Sequence, residues 1–228
     1  MLNDYKNTFS ELISFPRNVV DTFLHGDHEK FMHPFKFLLI GAVLVLLLNT
    51  LLVNFSFEPD ATAALPDNGE AGEQIEEIAG WIQVSNVRAS TQFLPFGLII
   101  LFIPMLAVGG LIFLRNEVEG FFNHLVMNSY AVGVAMLSLL LMIPVWIFSG
   151  IPISDPLVNS TLPAVLVAGV MIWIYKQYLR PASVMEWIRM ISAYATGYIF
   201  FIILNGFVAG VVGYMIFAIR RIAELSGS

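Results

Sequence analysis

Four histidines supply the side chains best suited, by type and spacing, to hold a metal or to titrate near neutral pH. His25, His28 and His33 fall within the run Leu24-His25-Gly26-Asp27-His28-Glu29-Lys30-Phe31-Met32-His33-Pro34, and His124 follows closely on Glu117 and Glu119. Imidazole with carboxylate is a zinc or iron ligand set. Clustered imidazoles also respond to pH, and ordinary contacts with lipid headgroups or loops are a third reading. Gly26 is expected to end a helix between His25 and His28, so their spacing does not fix both rings on one helix face. The six residues form a candidate polar cluster to which no cofactor is assigned.

Other chemistry is sparse. The chain has no cysteine, which removes disulfides, thiol catalysis and thiolate metal sites. No GxxxxGK[ST], HExxH or GxSxG occurs. Ser154 and Asp155 fall in an expected external loop without a histidine, so they do not make an ordinary triad. Asn159-Ser160-Thr161 fits a glycosylation sequon, relevant only in a secretory-pathway host. A net charge of −6 excludes an ordinary nucleic-acid binder. The expectation is a protein that is not an enzyme.

The elements that position these residues follow from composition. Of 228 residues, 57% are hydrophobic and 12% charged, with a mean hydropathy of +0.78. A soluble domain carries about 25% charged residues and about 45–50% apolar ones, so this composition cannot cover a water-facing surface. Five apolar runs are expected to span a bilayer: Phe35 to Phe55, Phe93 to Leu114, Leu125 to Phe148, Leu162 to Leu179, and Met190 to Ile219. The fold class is therefore an all-α polytopic transmembrane bundle of five spans. The fifth run would reach about 45 Å as a helix, which a tilted or protruding single helix accommodates; the alternative is a broken hairpin near Asn205 and Gly206.

Residues 1–34 read as a cytoplasmic segment of two short amphipathic helices, with no cleavable signal expected. Tyr5, Phe9, Leu12 and Ile13 share one face, and Val19, Val20, Phe23 and Leu24 another. Pro16 suits the first turn of the second helix and Gly26 its stop. Such a pair either lies in the headgroup layer or packs on the membrane domain. Residues 35–219 form that domain, including an external acidic loop over 58–92, and 220–228 form a short tail. Within the loop, Pro66-Asp67-Asn68-Gly69 is turn chemistry, and Gly72 to Gln83 is expected to form a helix with Ile75, Ile78 and Ile82 on one side and Trp81 at the interface.

Cytoplasmic loops are enriched in Lys and Arg. With the N-terminus inside, Lys6, Arg17, Lys30, Lys36, Arg115, Lys176, Arg180 and Arg189 are cytoplasmic, and Arg88, Arg220 and Arg221 are external. The five runs carry no charged residue or histidine between 37 and 55, 93 and 114, 125 and 148, 162 and 175, or 190 and 219. Such residues usually mark ion or proton pathways, so a proton-coupled carrier or ion pump acting alone is not expected. Gly206, Gly210 and Gly213, with Ala164 and Ala168, provide small-residue packing faces. Their contacts are either within the chain or with a protein partner in the bilayer. Asn49, Asn54, Asn128, Ser129, Tyr130, Ser192, Tyr194, Thr196 and Asn205 either bond across helices or line a pathway. Pro95, Pro104 and Pro144 can kink their helices.

Pro16-Arg17 through Gly26, Lys30, and Pro34-Phe35-Lys36-Phe37-Leu38-Leu39 resemble the start of the membrane domain in an uncharacterised bacterial polytopic membrane-protein family. Asn123-His124-Leu125-Val126-Met127-Asn128-Ser129-Tyr130 is similar to that family's His-Leu-Val signature at the third span, and Ile174-Tyr175-Lys176-Gln177-Tyr178-Leu179-Arg180 to its basic exit from the fourth. Many members carry an N-terminal zinc ribbon, which this sequence lacks, and His28 stands where the family's pattern has Arg. The family is distantly like the Yip-type five-pass membrane proteins. The resemblance implies an inner (plasma) membrane location, N-terminus in and C-terminus out, and a role in trafficking or membrane shaping. Together these readings lead to an accessory subunit, scaffold or membrane-organising factor, with a small transporter or lipid-handling permease as the alternative.

Overall fold

The computed structural model describes residues 2–54, 75, 78–82, 85, 94–142, 144, 148 and 162–226. The chain is all-α, and no strand occurs among the described residues. Helices α1 (Leu2–Ser14) and α2 (Pro16–Leu24) form the N-terminal pair. Pro16 at the first position fixes a helical φ and needs no N–H partner there. Gly26, at φ +94°, supplies the left-handed turn that closes α2. Their apolar faces are buried at Leu12, Val19, Val20 and Phe23. The pair packs on the bundle, α2 against the central and fourth long helices.

Five long apolar elements follow. Helix α3 covers Pro34–Asn54. Helix α4 is built from Leu94–Gly97, a π-turn over Leu98–Phe102, and Ile103–Phe113. The π-turn has a local cause. Pro104 lacks an N–H and its ring would press on the carbonyl one turn back, and the widened helix lets the Ile103 N–H donate to the Leu98 carbonyl instead. Helix α5 runs over Phe121–Ser138 and tightens into a 3₁₀ turn at Leu139–Met142. Helix α6 covers Leu162–Leu179, and α7 runs unbroken over Val184–Ser226. Ser183 and Glu186 cap α7: Ser183 Oγ accepts from the Glu186 N–H at 3.3 Å, while Glu186 Oε2 accepts from the Ala182 N–H at 2.7 Å.

Among the described residues, two helices, Phe121–Met142 and Val184–Ile222, are long and apolar enough to cross a membrane; Pro34–Leu47, Leu98–Phe113 and Ala164–Leu179 are shorter apolar helices. Helix α5 is the central post, packed against α3, α4 and α6, while α7 leans mainly on α4. The contrast in burial is large: 67% for α5 against 11% for α7.

Contacts separate the bundle into two ends. At one, Tyr178 at the close of α6 meets Asp21 of α2, and Glu117 in the α4–α5 turn meets Arg189 near the start of α7. At the other, Arg220 lies 4.2 Å above the Trp81 ring and Gly213 sits against Ile82. The N-terminal pair and the C-terminal part of α7 therefore lie at opposite ends.

Several details differ from the sequence reading. Helix α7 passes straight through Asn205 and Gly206, so the hairpin is not the arrangement adopted. Residues 220–226 continue α7 and are not a separate tail. Helix α5 begins at Phe121, four residues before the expected start at Leu125, so His124 lies inside its first turn. Ile75, 78–82 and Ser85 are helical, in line with the expected helix, but Trp81 serves as a platform for Arg220. Pro66-Asp67-Asn68-Gly69, Ser154-Asp155, Asn159-Ser160-Thr161 and the side chains of Asn49 and Asn54 lie outside the described residues.

Candidate functional site

The polar side chains converge where α1 and α2 meet the bundle. An apolar helix pair can be held in register by a few buried hydrogen bonds, since a buried donor or acceptor left unpaired costs about 1–3 kcal/mol. Here Met32, in the link from α2 to α3, is held from both sides. Its N–H donates to Thr8 Oγ1 of α1 at 2.9 Å, and its carbonyl accepts from the Tyr130 hydroxyl of α5 at 2.7 Å. Thr8 and Tyr130 are both fully buried. Phe37 packs beside them, 4.9 Å from Tyr5 and 6.1 Å from Tyr130 between ring centroids.

A second set of bonds joins α2 to α6. Tyr178 donates to Asp21 Oδ1 at 3.2 Å, and Arg17 bridges Asp21 Oδ2 at 3.2 Å. Asn18 donates to Glu11 Oε1 at 2.7 Å and ties α2 back to α1. Lys176 stands over the Trp187 ring at 5.8 Å, and Arg189 reaches Glu117 at 3.5 Å. Two open clefts flank this collar: one of about 380 Å³ lined by Asp21, His25, Glu117, Glu119, Asn123 and Tyr178 among others, and one of about 530 Å³ lined by residues of α1, α2 and the end of α6.

The candidate histidine cluster is divided. His25 Nδ1 sits 2.6 Å from the Asp21 carbonyl oxygen. His28 and His33 flank Phe23, at 4.6 and 5.1 Å between centroids. Partial burial, and secondarily the neighbouring His28, hold the His33 imidazole below its ordinary value. His124 is away from these three, fully buried against Gly110. Neither of its ring nitrogens makes a hydrogen bond of good geometry among the described residues, although the Val118 backbone faces it. Glu117 is engaged by Arg189, and Glu119 is exposed at the second cleft. Among the described residues no group of three or more His, Asp or Glu side chains is placed to hold a metal ion.

Inside the bundle, Asn128 Oδ1 accepts a short hydrogen bond from the Tyr175 hydroxyl, joining α5 to α6. Ser129 bonds the Leu125 carbonyl of its own helix at 2.7 Å. Asn128 and Tyr130 thus join α5 to other segments while Ser129 bonds within α5; all three are buried, and Asn128 Nδ2 has no hydrogen-bond partner among the described residues.

The small-residue faces are redistributed. No described atom lies within 4 Å of a Cβ built on Gly206 or Gly210, and only Gly213 meets a neighbour, Ile82. Ala164 is exposed and Ala168 half-buried. The close helix contact is instead between α4 and α7, at Gly109 and Gly197. A Cβ on Gly197 would stand 2.6 Å from Leu106 Cα, and one on Gly109 would stand 2.8 Å from Gly197 N. The sequence carried a signal for this in the Gly109-Gly110 pair and in Ala193 four residues before Gly197, a small-xxx-small spacing.

No family model, curated protein or solved structure matches the chain.

Proposed function

We propose that the chain is a multi-pass integral membrane protein of five crossings that works by association, as an accessory subunit or scaffold of a membrane complex or as a membrane-organising factor, without catalysis of its own. The observation that carries this reading is the outer face of α7. Ile199, Ile203, Phe207, Val211, Tyr214 and Ile222 are among its exposed large side chains, and Ile203 and Phe207 are 64% and 68% exposed. Each such side chain left in water forgoes about 1.5–3 kcal/mol of burial, and a continuous apolar face of this kind marks a membrane or protein contact. Five apolar elements running between the same two ends support five crossings. The basic residues gathered at the end that holds α1 and α2 support placing that end in the cytoplasm of a bacterial inner membrane. The resemblance of the sequence to the Yip-type five-pass proteins implies the same orientation.

The open Gly206 and Gly210 mark where a partner helix would approach. Glycine weakens a helix, by about 1 kcal/mol relative to alanine, and in lipid it repays that where a second backbone comes close. Site-specific photocrosslinkers at Phe207 and Val211, beside these glycines, are expected to give a discrete protein adduct in the native membrane. Adducts to lipid alone at both positions would count against the partner reading. The hydrogen bonds of Asn128 Oδ1 to Tyr175 and of Tyr130 to Met32 tie segments of the bundle together, which supports a structural use of these groups.

A further inference from the structure

At the close of α6 the backbone leaves the helix through Arg180, whose φ is +49°. Its N–H completes the last turn by donating to the Lys176 carbonyl at 2.9 Å. Glycine usually takes this left-handed position, because a Cβ there crowds the adjoining carbonyl. Arg180 therefore bears backbone strain, yet its exposed guanidinium makes no ion pair or side-chain hydrogen bond among the described residues. Packing does not account for a side chain at this position.

The neighbouring charges are already committed. Arg17 holds Asp21, Lys176 lies over Trp187, and Arg189 holds Glu117. Of the acids on the same cleft, Asp21 is paired with Arg17 and accepts from Tyr178, while Glu11 keeps its charge and accepts from the neutral Asn18 amide. Arg180 makes no ion pair among the described residues and stands on the wall of the cleft of about 530 Å³, which Arg17, Asp21 and Glu11 also line, with the amide of Gln177 and the hydroxyl of Ser14 on the same lining. Phe15, 61% exposed, stands at the same site. A planar guanidinium beside neutral donors matches the oxygens of a phosphate group. The adjoining apolar side chain suits a surface where acyl chains begin.

We propose that this cleft binds a phosphate group on Arg180, with Gln177 and Ser14 as further donors, and that the phosphate is the headgroup of an anionic phospholipid. The lipid source rests on the reading that α6 crosses the bilayer and delivers Arg180 to its surface; binding of the phosphate itself does not.

The test compares the full chain with Arg180→Gln and Arg180→Gly. Each is placed in phosphatidylcholine nanodiscs with and without phosphatidic acid, and retained phosphatidic acid is measured by native mass spectrometry. Inorganic phosphate is titrated into each detergent-solubilised protein by calorimetry. The wild type is expected to retain phosphatidic acid selectively, and both variants to lose about ten-fold or more of that retention. Arg180→Gly is expected to melt at a higher temperature than the wild type, since it relieves the strained φ, so its lost binding is not a loss of fold. Phosphatidic acid retained equally by all three proteins would overturn the proposal, as would a wild type with no preference for it and no binding of inorganic phosphate. Tight inorganic phosphate binding that depends on Arg180, without lipid retention, would keep the phosphate site and overturn the headgroup as its source. Failure of the membrane reading is seen separately, as release of the chain from membranes by alkaline carbonate.

Discussion

Tyr130 of α5 donates its hydroxyl to the carbonyl of Met32, 98 positions earlier, at 2.7 Å. The N–H of that same residue is taken by Thr8 of α1. One residue, through the peptide groups on either side of it, thus couples the N-terminal helix, the link into α3 and the central post of the bundle. It fixes the collar at one end of the molecule.

Tyr130→Phe leaves the Met32 carbonyl buried without its donor, and Thr8→Val leaves the Met32 N–H without its acceptor. Each is expected to cost about 1–2 kcal/mol. Because both act on one residue, the double variant should lose less than the sum. Thermal unfolding in detergent reads this; wild-type melting in both single variants would remove the collar as a stabilising device.

Small residues on α4 and α7 are expected to divide into two classes. Gly197→Ala and Gly109→Ala push a Cβ into facing backbone, where neither helix can yield without moving, and should cost about 1–3 kcal/mol or more. Gly206→Ala and Gly210→Ala meet no described atom. They should leave the melting temperature of the purified chain unchanged or raise it, in keeping with a gain of up to about 1 kcal/mol in helix propensity. Under the proposed association they should nonetheless weaken partner crosslinking. Destabilisation by Gly206→Ala of the isolated chain would contradict the open face.

His33 predicts a pH dependence of definite sign. Its folded value lies below the ordinary one, so the unfolded chain binds the proton more readily than the folded chain does. Its contribution to stability is then fully present above about pH 6.5, the unperturbed value, and declines as the pH falls below it. Unfolding curves across that window should show a fall on acidification that His33→Gln reduces. An identical fall in wild type and variant would place the acid sensitivity elsewhere.

Long apolar runs made most helices legible in the sequence, and Pro16 with Gly26 marked the bounds of α2, because these features act through local backbone chemistry. Contacts between distant segments were not legible in the same way. Nothing near Met32 announces that Thr8 and Tyr130 will bracket it. Hydropathy also could not place the start of α7, since Val184 to Arg189 mixes polar and apolar residues and joins the helix through the Ser183 and Glu186 cap. The histidines were grouped by chemical type alone. Three remained at the α2–α3 elbow, while the position of His124 in α5 carried it into the interior beside Gly110. The glycine faces show the same limit. Spacing identified small residues, but only the packing of α4 on α7 selected Gly109 and Gly197 over Gly206 and Gly210.

A five-crossing chain, as proposed, has its two termini on opposite sides of the membrane. The absence of native cysteine makes single introduced cysteines unambiguous reporters. Lys30→Cys, Arg115→Cys and Arg180→Cys sample the end that holds α1 and α2, and Ser226→Cys samples the other; the proposed topology puts Asn68→Cys and Asp155→Cys on the side of Ser226→Cys. With a membrane-impermeant maleimide on intact cells, the second set should label at once and the first only after permeabilisation. Labelling of Ser226→Cys on the same side as Lys30→Cys would contradict the account directly.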